Sequence, residues 1–172
     1  MSGGNYSLEF DRVMHYLPHR FPFLMVDKVL EIQPSGPLGN PAGGPDKVGT
    51  KVVAIKNVTS TESCFQGHFP GHAVFPGVYI IEAMAQTASF SLYPYFQHDT
   101  GRLCREFRCV LVGVEGARFR RPVYPGDTMR MESVVTKCRG KLWVFDVKTT
   151  VGGALVAEAG ILANLLMKSE GI

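Results

Sequence analysis

The sequence predicts an α+β domain in which one long, buried helix is clasped by a curved, mostly antiparallel sheet. Three observations lead there. Only one segment, Val78 to about Leu92, is long enough for a central helix; Pro76-Gly77 marks its start, Pro94 its end, and it is apolar on nearly every side. Four later runs, Arg105 to Phe119, Thr128 to Lys137, Leu142 to Val151 and Ala154 to Leu166, carry the β-branched and aromatic composition of strands. Gly152-Gly153 joins the last two as a two-residue hairpin, and Cys138 to Lys141 is a second hairpin candidate.

The N-terminal elements follow in order. Residues 1–7 read as a tail. Phe10, Val13, Met14 and Leu17 recur at i, i+3, i+4 and i+7, predicting a short amphipathic helix over Leu8 to Leu17 that stops before Pro18. Leu24 to Ile32 reads as a strand. Residues 33–49 hold Pro34, Pro37, Pro41 and Pro45 among glycines, which predicts a mobile loop. Thr50 to Asn57 returns to strand composition, with Val52, Val53 and Ile55 between Lys51 and Lys56. No internal repeat or second domain interrupts residues 1–172.

Composition narrows the function. With 172 residues, 45% hydrophobic and 19% charged, and a mean hydropathy of +0.06, the chain is globular rather than disordered. A net charge of +3 is far from the basic footprint of a nucleic-acid binder. Cys64, Cys104, Cys109 and Cys138 form no C-x-x-C pair, which predicts free thiols in a reducing compartment. The start lacks signal-peptide character, and the most apolar stretch, Phe75 to Phe96, carries Glu82 and Gln86 near its middle. The expectation is a cytoplasmic protein without a membrane span.

The densest chemical signal is FQGHFPGHAVFPGVYIIEAMAQ, Phe65 to Gln86. His68 sits between Gly67 and Phe69-Pro70-Gly71, where a rigid loop must place its ring; it is a candidate base or a structural histidine. Glu82 is the sole charge in a helix otherwise built from Val78, Ile80, Ile81, Ala83, Met84, Ala85 and Ala88. A buried carboxylate needs a partner or a proton, so Glu82 is a candidate acid or one half of a structural pair. Gln86, four residues on, shares its face and can orient it. Gly77 falls in the first helical turn, where backbone N–H groups lack intrahelical partners and the dipole favours negative charge.

An imidazole, an acid and a polarising N–H are the parts needed to remove a proton alpha to a carbonyl and expel a beta-hydroxyl as water. Neither metal nor organic cofactor is required. Two rival readings use the same segment. Cys64, His68 and His72 have C-x3-H-x3-H spacing, but Pro70-Gly71 breaks the helix a zinc site of that spacing would need. Cys64 with His68 has the makings of a nucleophile and base, yet a cysteine beside Phe65 more often serves as a small buried hydrophobe.

FQGHFPG followed by FPGVYIIEAMAQ resembles the beta-hydroxyacyl-[acyl-carrier-protein] dehydratases of type II fatty-acid synthesis, in particular the FabZ type. PHRFPFLMVDKV at Pro18 to Val29, AIKNVT at Ala54 to Thr59 and GARFRRPVYPGDTM at Gly116 to Met129 extend the resemblance over nearly the whole chain. It implies a hot-dog fold, a dimer that pairs its sheets, and three dimers in a hexamer. It implies that His68 and Glu82 are catalytic and that the Gly77 amide binds the substrate carbonyl; Gln86 and Phe69 are further candidates for substrate contact. The related dehydratase-isomerases carry Asp on the helix, so Glu82 points to dehydration without isomerisation. The family's tunnel runs along the dimer interface, which implies that His68 of one protomer faces Glu82 of the other. Residues 33–49 are longer than the connection usual there.

The implied substrate, (3R)-hydroxyacyl chains on acyl-phosphopantetheine, rides on an acidic carrier protein, and a basic patch should receive it. Arg118, Arg120 and Arg121 form one cluster, Lys137, Arg139 and Lys141 a second; charged protection of sheet edges is the alternative for each. Two other functions fit the same fold: a thioesterase, which also places an acid on the helix, and an acyl-binding protein without catalysis.

Overall fold

The computed structural model describes residues 5–38, 40, 43–96 and 106–167. Seven antiparallel strands, β1 (Tyr6–Leu8), β2 (Lys28–Gln33), β3 (Lys51–Asn57), β4 (Phe107–Phe119), β5 (Thr128–Arg139), β6 (Leu142–Val151) and β7 (Ala154–Met167), form one open sheet in the order β1-β2-β3-β5-β6-β7-β4. Against it lie a short helix α1 (Phe10–Tyr16) and the central helix α2 (Gly77–Ser89), which packs on β3, β5, β6 and β7.

Alternation builds the inner face: Met129, Met131, Ser133 and Val135 of β5 and Trp143, Phe145, Val147 and Thr149 of β6 are all buried. Opposite them, α2 presents Ile80, Ala83, Met84 and Ala88. Each large side chain sealed here, Met84 or Phe145 among them, contributes roughly 1.5–3 kcal/mol. The Gly152-Gly153 hairpin is as expected: φ values of +57° and +82° suit a turn that side chains disfavour. No helix among the described residues is long and apolar enough to cross a membrane. Cys64, Cys109 and Cys138 are free thiols, while Cys104 lies outside the described residues.

Four local expectations change. The tail contains β1, three residues whose pairing of Tyr6 with Ile32 and Leu8 with Val29 leaves no readable alternation. The α1 core face is Val13, Tyr16 and Leu17, with Phe10 exposed; the Tyr16 hydroxyl donates to the Ser89 carbonyl at 2.6 Å and so ties α1 to the end of α2. β2 starts at Lys28 rather than Leu24, because the Met25 N–H is committed to the Gln86 side chain instead of a neighbouring strand. Beyond α2 the chain continues as 3₁₀ turns from Phe90 to Phe96, straight through Pro94, held by the burial of Tyr95 and Phe96.

The 33–49 connection also departs from a freely moving loop where it is described. Lys47 is fully buried, its ammonium 2.5 Å from Asp46 and 4.2 Å from the Tyr95 ring centre. A Cβ on Gly43 would meet the Gly140 carbonyl, so this stretch lies flat on the β5–β6 hairpin.

Candidate active site

The chain from His68 to Val74 closes on itself. Phe69 and His72 exchange backbone hydrogen bonds of 3.1 and 2.9 Å, and the Val74 N–H donates to the His68 carbonyl at 3.1 Å. Gly71, with φ +76°, makes the turn. This small ring of hydrogen bonds orients the His68 imidazole, whose Nδ1 lies 2.7 Å from the Val74 carbonyl. A carbonyl only accepts, so Nδ1 carries the proton and Nε2 presents its lone pair. Phe69 stacks on the imidazole at 4.0 Å between ring centres.

His68 lines a cavity of about 360 Å³ with Val74, Phe75, Gly77, Ile80 and Phe119. Arg120, Arg121, Pro122 and Val123 complete its wall. Gly77 is the first residue of α2, so its N–H has no intrahelical acceptor and sits at the positive end of the helix dipole. A Cβ there would lie 3.1 Å from the Phe119 ring, which caps this end of the helix. Histidine and Gly77 amide are therefore brought to one cavity.

Glu82 is placed elsewhere. It does not line that cavity; it faces the segment between α1 and β2, with its side chain 22% exposed. The Gln86 amide donates to Glu82 Oε1 at 2.8 Å, as the four-residue spacing predicts. The same Gln86 donates to the Phe23 carbonyl and accepts from the Met25 N–H, each at 2.8 Å. With Gln86 only 2% exposed, this bracket ties the glutamate's turn of helix to the chain at residues 23–25. His19 Nε2 approaches Oε1 at 3.5 Å. Cys109 of β4 lies close enough to feel the carboxylate; burial first and Glu82 second push its thiol up to about 12.

The two basic clusters separate. Arg120 and Arg121 stand at the His68 cavity, although Arg120 also hydrogen-bonds Glu158 and holds that carboxyl below the usual range. Lys137, Arg139 and Lys141 lie at the far end of β5, about 35 Å along the strand from Thr128 at 3.3 Å per residue. Among the described residues no three His, Cys, Asp or Glu side chains converge as metal ligands, the Cys64, His68, His72 set included. Two features escaped the sequence reading, His19 beside Glu82 and Phe119 over Gly77. Both are contacts between distant segments, which no local pattern reports.

A family model described as a FabA-like domain matches residues 17–160. The 3-hydroxyacyl-[acyl-carrier-protein] dehydratase FabZ of Myxococcus xanthus is 42% identical over 161 residues, 94% of this chain and 94% of that protein. The enzyme of the same name from Geotalea uraniireducens is 39% identical over 95% of this chain and 100% of its own length. Among solved structures, the dehydratase heterocomplex ApeI:P from Xenorhabdus doucetiae aligns with a TM-score of 0.64 at 16% identity, covering 92% of this chain and 93% of that one. A hot-dog-like protein from Thermanaerovibrio acidaminovorans aligns at 0.56 and 18% identity, over 72% and 85% of the two chains. These structural matches establish the hot-dog fold, a long helix against an antiparallel sheet. Extended identity to the curated relatives, together with the FabA-like match, settles the lineage: the chain belongs to the FabA-like family, and within it to the FabZ-type dehydratases.

Proposed function

We propose that this protein dehydrates (3R)-hydroxyacyl-[acyl-carrier-protein] to the trans-2-enoyl product, with His68 as base, Glu82 as acid and the Gly77 N–H as the carbonyl-binding donor. Identity of about 40% to curated dehydratases over nearly the full chain supports the reaction. The observation that supports the division of labour is the 2.7 Å contact from His68 Nδ1 to the Val74 carbonyl, which leaves Nε2 free to take a proton.

In this reading Nε2 removes the alpha proton while the C–H electrons move toward the thioester carbonyl. Its developing negative charge is met by the Gly77 N–H and the helix dipole. The electrons return to form the alpha–beta double bond, the beta C–O bond breaks, and Glu82 gives its proton to the departing hydroxyl, so that one water leaves. His68 has then gained one proton and Glu82 lost one; solvent exchange after product release restores both.

His68 and Glu82 belong to different faces of one chain, and we place them in one site by pairing two protomers. Edge strand β4 exposes Val110, Leu111, Val112 and Val114, an apolar strip whose unpaired backbone is suited to a second copy of itself. His68 of one protomer would then meet Glu82 of the other, and three such dimers would make the hexamer expected of the family. Free cysteines support a reducing, cytoplasmic setting. The acidic carrier docks at Arg120 and Arg121, beside the cavity that His68 lines.

The decisive experiment follows enoyl absorbance and thiol release together on a 3-hydroxybutyryl thioester. Enoyl formation without free thiol is the expected result. Thiol release without enoyl product would make the protein a thioesterase, and neither signal, with acyl binding retained, would make it a noncatalytic acyl-binding protein.

A further inference from the structure

The two carboxyl oxygens of Glu82 have different surroundings. Gln86 donates to Oε1 at 2.8 Å, and His19 Nε2 faces the same Oε1 at 3.5 Å. No hydrogen bond from the described residues reaches Oε2. The His19 ring is equally one-sided. Its Nδ1 is sealed from solvent and has no hydrogen-bond partner among the described residues, and the ring leans on Phe23 with centres 6.2 Å apart. A proton on Nδ1 would be a buried donor without an acceptor, whereas a bare lone pair there is tolerated at lower cost. The ring proton therefore sits on Nε2, facing Glu82, and the imidazole is neutral. Burial is the largest influence holding His19 in that state, Arg20 acts in the same direction and Glu82 opposes them.

Around this pair are Arg20 from the same segment, the amide of Gln86 from α2 and Cys109 from β4, whose thiol burial keeps protonated; Tyr79 of α2 packs edge-on against Phe23. The Arg20 guanidinium donates to the Leu17 and His19 carbonyls, at 2.9 and 2.6 Å, and its charge helps to keep His19 neutral. A cation at the His19 position would favour the carboxylate and withdraw the acid. A neutral N–H, 3.5 Å from Oε1, does neither.

We propose that His19 is a positioning residue: as a neutral donor it joins Gln86 in anchoring Glu82 Oε1 and leaves Oε2 as the oxygen that exchanges its proton with substrate. This rests on the assignment of Glu82 as the acid. Pro18, His19 and Arg20 do not line the His68 cavity of their own protomer, and the contact His19 makes with the proposed machinery is to Glu82.

The test is the pH profile of kcat/KM on a soluble 3-hydroxyacyl thioester for the parent, Glu82→Gln and three His19 variants. The limb that Glu82→Gln abolishes belongs to Glu82. His19→Gln keeps an uncharged N–H and should preserve the profile, with turnover within about three-fold of the parent. His19→Ala should lower kcat about ten-fold with KM little changed and a cooperative thermal melt. His19→Lys should move the Glu82 limb to lower pH by about one unit or more. A limb that disappears in His19→Gln would make His19 itself the titrating group and overturn the proposal, as would a Glu82 limb that His19→Lys leaves in place. Parent-like turnover in Glu82→Gln would overturn the acid assignment, a failure recognised before any His19 variant is read.

Discussion

The His68 half and the Glu82 half of the site are built in opposite ways. His68 is held by a seven-residue loop that hydrogen-bonds to itself and opens onto a cavity at the exposed start of α2, where Val78 is 73% exposed. Glu82 sits one and a half turns further along the same helix, held through Gln86 by backbone groups more than sixty residues away in sequence. The first half is local and accessible; the second is woven into the scaffold. In the proposed reaction a base must reach an alpha carbon and an acid must be kept in one orientation, and the contrast suits those two needs.

The largest effects should fall on chemistry. His68→Ala and Glu82→Gln should each lower turnover about 100-fold or more, the scale of general acid–base groups, with the fold intact by circular dichroism. Co-expressed as His68→Ala and Glu82→Ala chains, they bear directly on whether the halves join across two protomers. Random pairing makes about half the dimers mixed, and each mixed dimer has one site with both residues intact, so roughly a quarter of parent activity should return. Tag-verified mixed dimers that stay at the level of the single mutants would confine each site to one chain.

Stability should separate the halves next. Gln86→Leu leaves the Met25 N–H and the Phe23 carbonyl without their buried partner, and should cost about 2–4 kcal/mol in denaturant unfolding as well as slowing turnover. His68→Ala should cost no more than about 1 kcal/mol, because the loop's backbone bonds survive it. Equal losses in the two variants would dissolve the distinction between a local half and a woven one.

A smaller effect is expected at Gly77. A methyl group there would lie 3.1 Å from the Phe119 ring, which is 53% exposed and free to give way. Gly77→Ala should therefore reduce kcat/KM by only about three- to ten-fold, by displacing the substrate carbonyl from the amide. If Phe119→Leu, which opens space over the new methyl, fails to recover part of that loss, the crowding is not its cause.

These asymmetries also explain what could be read in advance. The span of β6 and the hairpin after it were legible because alternation and paired glycines are local signals. So was the Glu82–Gln86 pair, which needs only helical geometry. The partners of Gln86 at Phe23 and Met25, and the approach of His19, depend on where the chain between α1 and β2 crosses the helix, and no pattern within that segment reports it. The 33–49 connection misled for a related reason: prolines among glycines read as a mobile loop, yet Lys47 is buried in it, with Asp46 and the Tyr95 ring making that burial tolerable.

The smallest expected effect concerns the two basic clusters, which the sequence could not rank. Both are charge runs beside turns, but their distance apart depends on the length and direction of β5. Arg121 borders the His68 cavity, whereas Lys137, Arg139 and Lys141 cluster at the other end of β5 from Thr128, roughly 30–35 Å of strand at 3.3 Å per residue. A carrier protein delivers its acyl chain through a phosphopantetheine arm, so charge close to the cavity bears on docking and distant charge does not, unless an assembly brings another protomer's hairpin near. Arg121→Glu should raise KM for acyl-carrier substrate about three- to ten-fold, more at low salt than at high, and leave a small soluble thioester unaffected. Reversal of all three hairpin charges should change KM by less than about two-fold on either substrate. If the hairpin variant instead shows the salt-sensitive, carrier-specific loss, the docking surface spans protomers, and the hairpin of one chain serves the cavity of another. Loss on both substrates alike in either variant would mark damage to the fold rather than to docking.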